Sequence, residues 1–226
     1  MLVKKHDLIN KIERSRRKTI SLIVNENAEL IIRAPLKVSI DYINKVVELK
    51  KKWILKKKEE QKERYVEPKT YQEGAKMLYL GNEIDLVVIP NAIFAVKYED
   101  NVMKISSDCI NHAKEYLELW YKKQAKSYLV KRLHSLAIQH NFVVNNVRIS
   151  TADKRWGSCS GKSNINLSYK LIMAPPSVID YVIIHELAHT REMNHSANFW
   201  AIVESIMPSY KQERLWLKQN GKKLDL

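Results

Sequence analysis

Apolar and polar positions alternate along the first hundred residues in short runs that predict β-strands. Residues 18–24 and 28–35 are rich in β-branched side chains, and the polar segment between them predicts the turn of a hairpin. Pro35 closes the second run, and the missing N–H of proline suits the end of a strand. Three further strands are predicted over 76–90, 93–100 and 102–106, with turns at Gly81-Asn82 and Asp100-Asn101.

Residues 41–65 change to a helical period. Ser39 and Asp41 can cap the start of this helix, and lysines cover the faces that the apolar residues leave. The helix is therefore expected to pack through one side. That apolar stripe consists of Ile43, Val46, Val47, Trp53 and Ile54.

The second half of the chain is more helical. A long helix is predicted from about 110 to 140, and Pro175-Pro176 suits the opening of another. Gly221 is placed to stop the last helix. Strands are predicted at 141–150 and 165–172, a loop at 151–164, and two shorter helices at 196–207 and 210–221. The whole pattern predicts an α+β fold, with a β-rich N-terminal lobe at 1–108 and a helical lobe at 109–226.

Length and composition restrict the class of protein. No apolar run among the 226 residues reaches the roughly 18 residues of a membrane helix, so no membrane partner is expected. The N-terminal segment MLVKKHDLIN has charges but no apolar stretch, so no signal peptide is expected. Cys109 and Cys159 are too few for a disulfide framework. These features favour a cytoplasmic protein.

The excess of positive charge leaves two interpretations open. The chain has 39 Lys+Arg against 25 Asp+Glu, a net charge of +14, which attracts polyanions such as nucleic acid. Arg14, Arg16, Arg17 and the lysines of 50–58 could follow a phosphate backbone, or they could form a solvated face. We expect at most weak polyanion or nucleic-acid binding, through the basic N-terminal lobe.

The segment YVIIHELAHTREMNHSANFW at 181–200 carries the strongest chemical signal. His185 and His189 are one helical turn apart in the pattern H-E-x-x-H, so both imidazoles can grip one cation. Glu186 can reach a metal-bound water without binding the metal itself. The helix is apolar nearly all round, and buried imidazoles and a carboxylate need a partner. A metal ion resolves this conflict.

His195 is the candidate third ligand. It follows a predicted helix break at Met193-Asn194, from which the chain could return to the same ion. Three neutral nitrogens leave an open fourth position, as in catalytic zinc sites, so we expect one divalent ion per chain, with zinc favoured. Such an ion generates hydroxide near pH 7, and Glu186 would accept the proton as the metal-bound water attacks. The sequence predicts metal-assisted hydrolysis.

With these residues in view, the sequence resembles the YgjP-like, or SprT-like, family of zincin metallopeptidases. The resemblance is strongest in four C-terminal segments, RWGSCS at 155–160, IDYVIIHELAH at 179–189, NHSANFW at 194–200 and MPSY at 207–210. It is looser in RSRRKTISLIV, IIRAP and KKWIL of the N-terminal half. The resemblance implies a zincin-like fold whose helical catalytic lobe carries the H-E-x-x-H helix. It also implies that His185, His189 and His195 bind the metal and that Glu186 is the general base.

Three positions depart from related patterns. The resemblance predicts an asparagine near Ser168 and an apolar residue at Thr190. The spacing of the histidines also fits the metzincin pattern H-E-x-x-H-x-x-G-x-x-H, but Glu192 occupies the position of its turn glycine. The YgjP-like interpretation is therefore preferred.

Three functions remain open. Peptide-bond hydrolysis is favoured because metallopeptidases use a single histidine site with an adjacent glutamate. The resemblance also implies a second activity, cleavage of UTP by a nucleotide pyrophosphatase, and the third class is a nucleic-acid-associated factor with a secondary metal site. The substrate is thus a peptide or a nucleotide. Arg155 could hold a substrate anion, Trp156 lies beside it, and Tyr210 could donate a hydrogen bond to the transition state.

Overall fold

The computed structural model describes residues 4–25, 27–62, 70–152 and 155–226. These residues form ten strands and six α-helices, which confirms the predicted α+β class. No helix in the described ranges combines the length and apolar character needed to cross a membrane. Two compact units divide the chain, Met1–Glu67 and Pro68–Leu226.

This division differs from the expected boundary at residue 108. The strands between 76 and 106 belong to the second unit because their apolar side chains share its core with the long helix. Met77, Leu86 and Met103 are buried in one cluster with Leu117, and the Tyr121 hydroxyl donates to the Leu78 carbonyl at 2.7 Å. A run of strands in the sequence does not reveal which helices cover it.

The first unit is a three-stranded sheet with two helices. Its elements are β1 (Ile9–Ser15), β2 (Ser21–Val24), β3 (Leu30–Pro35), α1 (Ile40–Leu49) and α2 (Lys51–Lys62). Strands β2 and β3 form the predicted antiparallel hairpin, with Leu22 opposite Ile32. Strand β1, which the apolar pattern did not predict, pairs in parallel with β3, so the order is β1-β3-β2. The buried core of this unit includes Leu30, Ile32, Ile43, Val47 and Ile54.

The helix predicted over 41–65 is wrong as a single element. Helix α1 ends at Leu49 with Lys50 as its C-cap residue, and a second helix, α2, begins at Lys51. Residues 63–65, the end of the predicted range, lie outside the described residues. Trp53 is 43% exposed, whereas Ile54 is fully buried. Trp53 precedes Ile54 in α2, so at 100° per residue its side chain lies on a different face of that helix from the buried isoleucine.

The second unit begins with a four-stranded sheet. Its strands are β4 (Lys76–Tyr79), β5 (Asn82–Ile89), β6 (Val96–Glu99) and β7 (Val102–Ser106), in the order β4-β5-β7-β6. The turns before Asn82 and at Asp100-Asn101 have positive φ angles, as predicted for turn residues. Gly81 has φ +81° and lies against Pro175, where an added Cβ would be 2.7 Å from the Cα atom. Ile93 is fully exposed, and the predicted strand at 93–100 starts only at Val96.

A long helix and a second sheet follow. These are α3 (Ala113–Gln139), β8 (Asn146–Ser150), β9 (Gly157–Cys159) and β10 (Asn164–Ser168), with sheet order β8-β10-β9. Helix α3 confirms its prediction. Strand β9 lies inside the predicted loop 151–164, and a 3₁₀ turn at Tyr169–Met173 replaces the end of the predicted strand 165–172.

Three helices complete the unit: α4 (Pro176–Ala188), α5 (Ala197–Ile206) and α6 (Tyr210–Asn220). Helix α4 is apolar and lies in the core with Val178, Ile183, Ile184 and Leu187 buried. Arg132 of α3 clamps α4 through a bidentate ion pair with Asp180, at 2.6 and 2.7 Å. These contacts hold the helix that carries the histidine motif.

Candidate metal centre

Helix α4 delivers the first two histidines. Pro176 stands at its first turn, where the missing N–H costs no hydrogen bond, and the last helical residue is Ala188. His185 lies in the last turn, and His189 is the C-terminal cap residue. Their ring centroids are 4.9 Å apart, as expected for residues four apart in a helix.

The chain then turns back and brings the third histidine. The backbone N–H groups of Thr190 and Arg191 donate to the carbonyls of Leu187 and Ala188 at 2.9 and 3.0 Å, which closes the helix end. The Nε2 atom of His195 lies 3.0 Å from the Nε2 atom of His185. One nitrogen from each of the three histidines lies within 4.8 Å of the others. The predicted return of the chain at this break therefore occurs.

An aromatic ring supports all three imidazoles. Phe199 of α5 is fully buried, and its ring centroid lies 4.9, 4.5 and 4.8 Å from those of His185, His189 and His195. Trp200 stacks on His195 at 5.8 Å with 28° between the ring planes. These contacts limit rotation of the imidazoles, so the cluster is held in place by packing before any ion binds.

The uncharged state of two of the histidines favours the binding of a cation. Burial lowers the pKa of His185 to about 3, helped by the neighbouring histidines and by Arg214. Burial also lowers the pKa of His195, with smaller effects of His189 and Arg214. Both rings are thus uncharged at neutral pH and offer lone pairs. The Nδ1 atom of His189 donates to the Glu192 carbonyl at 3.1 Å, which leaves its Nε2 free to bind a metal.

The carboxyl group of Glu186 lies in an apolar environment. The residue is 5% exposed, and burial raises its pKa to about 7. Its side chain packs against the backbone of Gly157 in β9, where an added Cβ would be 2.6 Å from Oε1. A carboxyl group with a pKa near 7 can both accept and return a proton at neutral pH.

The donor set fits a zinc ion. Nitrogen ligands without charge suit zinc, and three of them leave one position open. The Nδ1 atom of His185 is buried without a hydrogen-bond partner among the described residues. A buried unpaired N–H costs about 1–3 kcal/mol, and a metal bond at Nε2 of the same ring offsets that cost. The two Nε2 atoms, 3.0 Å apart, are close enough to bind one cation together.

Comparison with known proteins agrees with these features. The sequence model of the YgjP-like metallopeptidase domain matches residues 18–220. The chain belongs to the YgjP-like family. The resemblance found in the sequence is thereby confirmed, and this YgjP-like chain is, in general terms, a metal-dependent peptidase of a family that implies a divalent ion. No curated protein matches it.

Two crystal structures of metallopeptidase zymogens are similar to part of the YgjP-like chain, and each match covers 40% of it. Abylysin of Pyrococcus abyssi is 26% identical over 93% of its own chain, with a TM-score of 0.36. Jannalysin of Methanocaldococcus jannaschii is 18% identical over 94% of its own chain, with a TM-score of 0.35. Such TM-scores are too low to establish a common fold.

The other predicted site residues lie around the cluster rather than in it. Arg155 is exposed and lines a cleft of about 550 Å³, together with Ser150, Thr151, Ala152, Gly157, Ser158 and Asn166. Trp156 packs against Gly221, whose added Cβ would be 3.0 Å from the indole. Tyr210 is 5% exposed, and its ring stacks on Trp200 at 5.3 Å with 17° between the planes. The tryptophan and the tyrosine therefore make packing contacts.

Two further positions lie in strands β9 and β10. Burial, with a smaller effect of Glu186, raises the pKa of the Cys159 thiol to about 11, so this group is no thiolate at neutral pH. The Ser168 side chain, at the position where the family resemblance predicts asparagine, is buried with no partner for its hydroxyl among the described residues.

Sequence reasoning missed Phe199, Gly157 and Arg214 of this YgjP-like chain. Phe199 and Gly157 belong to the quoted motifs NHSANFW and RWGSCS, so closer attention to the motif residues without titratable groups could have found them. Arg214 has no local signal because it stands in an ordinary amphipathic helix. Its importance follows only from the packing of α6 against α5.

Proposed function

We propose that this chain is a zincin-like zinc metallopeptidase that cleaves a peptide bond with Glu186 as general base. The observation that carries the proposal is the convergence of three imidazoles beside a buried carboxyl group. His185, His189 and His195 would hold the ion. When bound, zinc polarises a carbonyl oxygen and lowers the pKa of water towards about 7.

The residues of the chain supply the proton transfers. Glu186 accepts a proton from the attacking water and returns it to the leaving amine. Gly157 has no side chain, and this leaves the space that the carboxyl group of Glu186 occupies. Strand β9 is at the end of its described sheet, and an extended peptide can pair with such an edge.

Arg155 supports a second candidate, cleavage of UTP at the same metal site. The cleft beside Gly157 contains this guanidinium and several hydroxyl groups, which are suitable partners for a triphosphate. Phosphoanhydride cleavage more often depends on Mg²⁺ held by carboxylates. Among the described residues, the group that could hold a metal ion consists of three histidines and includes no carboxylate. Peptide hydrolysis is therefore preferred.

The Glu186→Gln variant tests the proposal. We expect it to retain zinc by elemental analysis and to lose at least about 100-fold in activity, because a general base typically contributes 10²–10⁴-fold. The metal-loaded protein is offered an unstructured polypeptide and UTP in parallel. Glu115→Gln is the matched control, since this exposed carboxyl group lies at the start of α3, 3.5 Å from His112.

Polypeptide cleavage that disappears in Glu186→Gln and persists in Glu115→Gln supports the peptidase. UTP turnover with the same dependence, and no cleavage of any polypeptide, would replace it with the pyrophosphatase. His195→Ala should retain less zinc than the wild type. Full retention would remove His195 from the metal centre.

A further inference from the structure

Two side chains of helix α6, one aromatic and one cationic, contact the same tryptophan. Tyr210 and Arg214 are four residues apart and therefore lie on one face of the helix. Trp200 stacks on Tyr210, and the guanidinium carbon of Arg214 lies 4.8 Å from the centre of the Trp200 ring. A cation over an aromatic face at this distance is held by the ring quadrupole.

Trp200 connects this cation to the histidine cluster. Its ring centroid lies 5.8 Å from that of His195 and 5.8 Å from that of His185. Arg214 is thus separated from two proposed ligands by one aromatic ring.

The guanidinium has no negative partner among the described residues. Arg214 is exposed, and the nearby acidic groups of α5 and α6 are engaged elsewhere. Glu213 accepts a hydrogen bond from Ser177 at 3.0 Å, and Glu204 pairs with Lys211 at 3.3 Å. An arginine that lies over an aromatic ring, with no hydrogen bond from its guanidinium to the described residues, can bind an incoming carboxylate through two parallel hydrogen bonds.

We infer that Arg214 is a specificity-determining residue that binds a carboxylate of the peptide substrate beside the metal centre. The inference rests on the proposed peptidase function and adds the class of substrate. The carboxylate can belong to an acidic side chain or to the C-terminus of the peptide. Either one balances the positive charge that a guanidinium and a divalent ion create together.

Three short peptides distinguish these sources. The first is an acetylated, amidated alanine peptide with one central glutamate, the second has glutamine in its place, and the third is the alanine peptide with a free C-terminal carboxylate. Their dissociation constants are measured by tryptophan fluorescence on the zinc-loaded Glu186→Gln variant, which binds without turnover. The specificity constants kcat/KM are measured on the wild type.

We expect the glutamate peptide or the free-acid peptide to bind about tenfold more tightly than the glutamine peptide, because hydrogen bonds to charged groups are the strong ones. Arg214→Gln should abolish this preference, and Arg214→Lys should retain part of it through charge alone. Lys218→Gln removes an exposed cation one turn further along α6 and should leave the preference intact. Zinc content should be unchanged in all three.

Equal dissociation constants for the three peptides while Arg214 is present would overturn the inference. Equal weakening of all three peptides by Arg214→Gln would assign Arg214 to packing and likewise overturn the inference. Tighter binding of UTP than of every peptide, lost in Arg214→Gln, would replace the carboxylate with a phosphate. A carboxylate preference that depends on Arg214, without cleavage of any peptide, would support the recognition role and refute the peptidase function.

Discussion

At the scale of single residues, the position of the candidate general base depends on an absent side chain. Glu186 is buried against Gly157, and the added Cβ of an alanine would lie 2.6–2.8 Å from three atoms of the glutamate side chain. Real Cβ atoms do not approach other atoms so closely, so the carboxyl group would have to move. A displacement of about 1 Å can reduce a rate about 100-fold.

We predict that Gly157→Ala retains zinc and loses about 100-fold in kcat. The glycine is in a strand with no contact to the imidazoles among those described, so metal content serves as the test of an intact site. Gly161→Ala is the matched control, since no atom lies within 4 Å of its added Cβ. Wild-type kcat in Gly157→Ala would show that Glu186 has room to adjust or is no general base.

The raised pKa of Glu186 predicts a proton released on metal binding. With a pKa of about 7 the carboxyl group is mostly protonated at pH 6 in the metal-free protein. A nearby divalent cation favours the carboxylate and lowers this pKa, so zinc binding should release about one proton from Glu186 at pH 6. His185, with a pKa of about 3, is already uncharged at pH 6 and contributes none.

Calorimetry in buffers of different ionisation enthalpy measures this proton. The difference between the wild type and Glu186→Gln isolates the contribution of the carboxyl group from that of other groups. The difference should decline towards zero well above pH 7, where the carboxylate is already formed. Equal proton release by the two proteins at pH 6 would contradict the raised pKa.

At the scale of secondary-structure elements, the start of α5 determines where the third histidine lies. His195 immediately precedes Ser196, whose hydroxyl caps the helix by accepting from the Phe199 N–H at 3.3 Å. The same helix start places Phe199 against the three imidazoles. One capping interaction therefore supports both a proposed ligand and the ring that packs on it.

We predict that Ser196→Ala lowers the free energy of unfolding by about 1 kcal/mol, the usual cost of losing a side-chain cap. It should also weaken zinc binding, because the chain before the helix loses its fixed direction. Ser39→Ala is the matched control: Ser39 caps α1 in the other unit by accepting from the Tyr42 N–H at 3.2 Å. It should cost similar stability in that unit. Equal zinc affinities in the two variants would separate the cap from the metal centre.

At the scale of the whole molecule, the positive charge is densest in the unit that does not contain the histidine cluster. Residues 1–67 contain 18 Lys+Arg and 10 Asp+Glu, so they account for +8 of the net charge of +14. Each unit has its own buried core. Arg14 is engaged with the backbone carbonyls of Pro35, Leu36 and Val38, whereas Arg16 is exposed.

We propose that the basic unit binds nucleic acid independently of the metal centre. Residues 68–226 alone should fold and retain zinc, and only the full chain should bind a single-stranded oligonucleotide. The affinity should fall with salt by about 0.7 log–log slope unit for each phosphate contact. Charge reversal at Arg16 and Arg17 should weaken this binding and leave zinc content unchanged. Absence of binding at low salt would leave the basic surface as a solvated face.

The sequence by itself determined the features that depend on local spacing. Two histidines four residues apart share a helical face whatever the rest of the fold, and the hairpin of β2 and β3 follows from alternation and a polar turn. Helix α3 and the end of α6 could equally be predicted from the sequence, because a period of 3.6 residues and the position of Gly221 are local features. The family resemblance rested on these same short motifs.

Only the tertiary structure decided the features that depend on long-range contacts. Strand β1 is defined by its parallel pairing with β3. Strand β9, in a segment predicted as a loop, is defined by its pairing with β10. The division near residue 67 depends on which helices cover which sheet. The contacts of Gly157 with Glu186 and of Arg214 with Trp200 join residues that are distant in the chain, and periodicity carries no information about such pairs. Burial and its effect on pKa are likewise properties of the packed molecule.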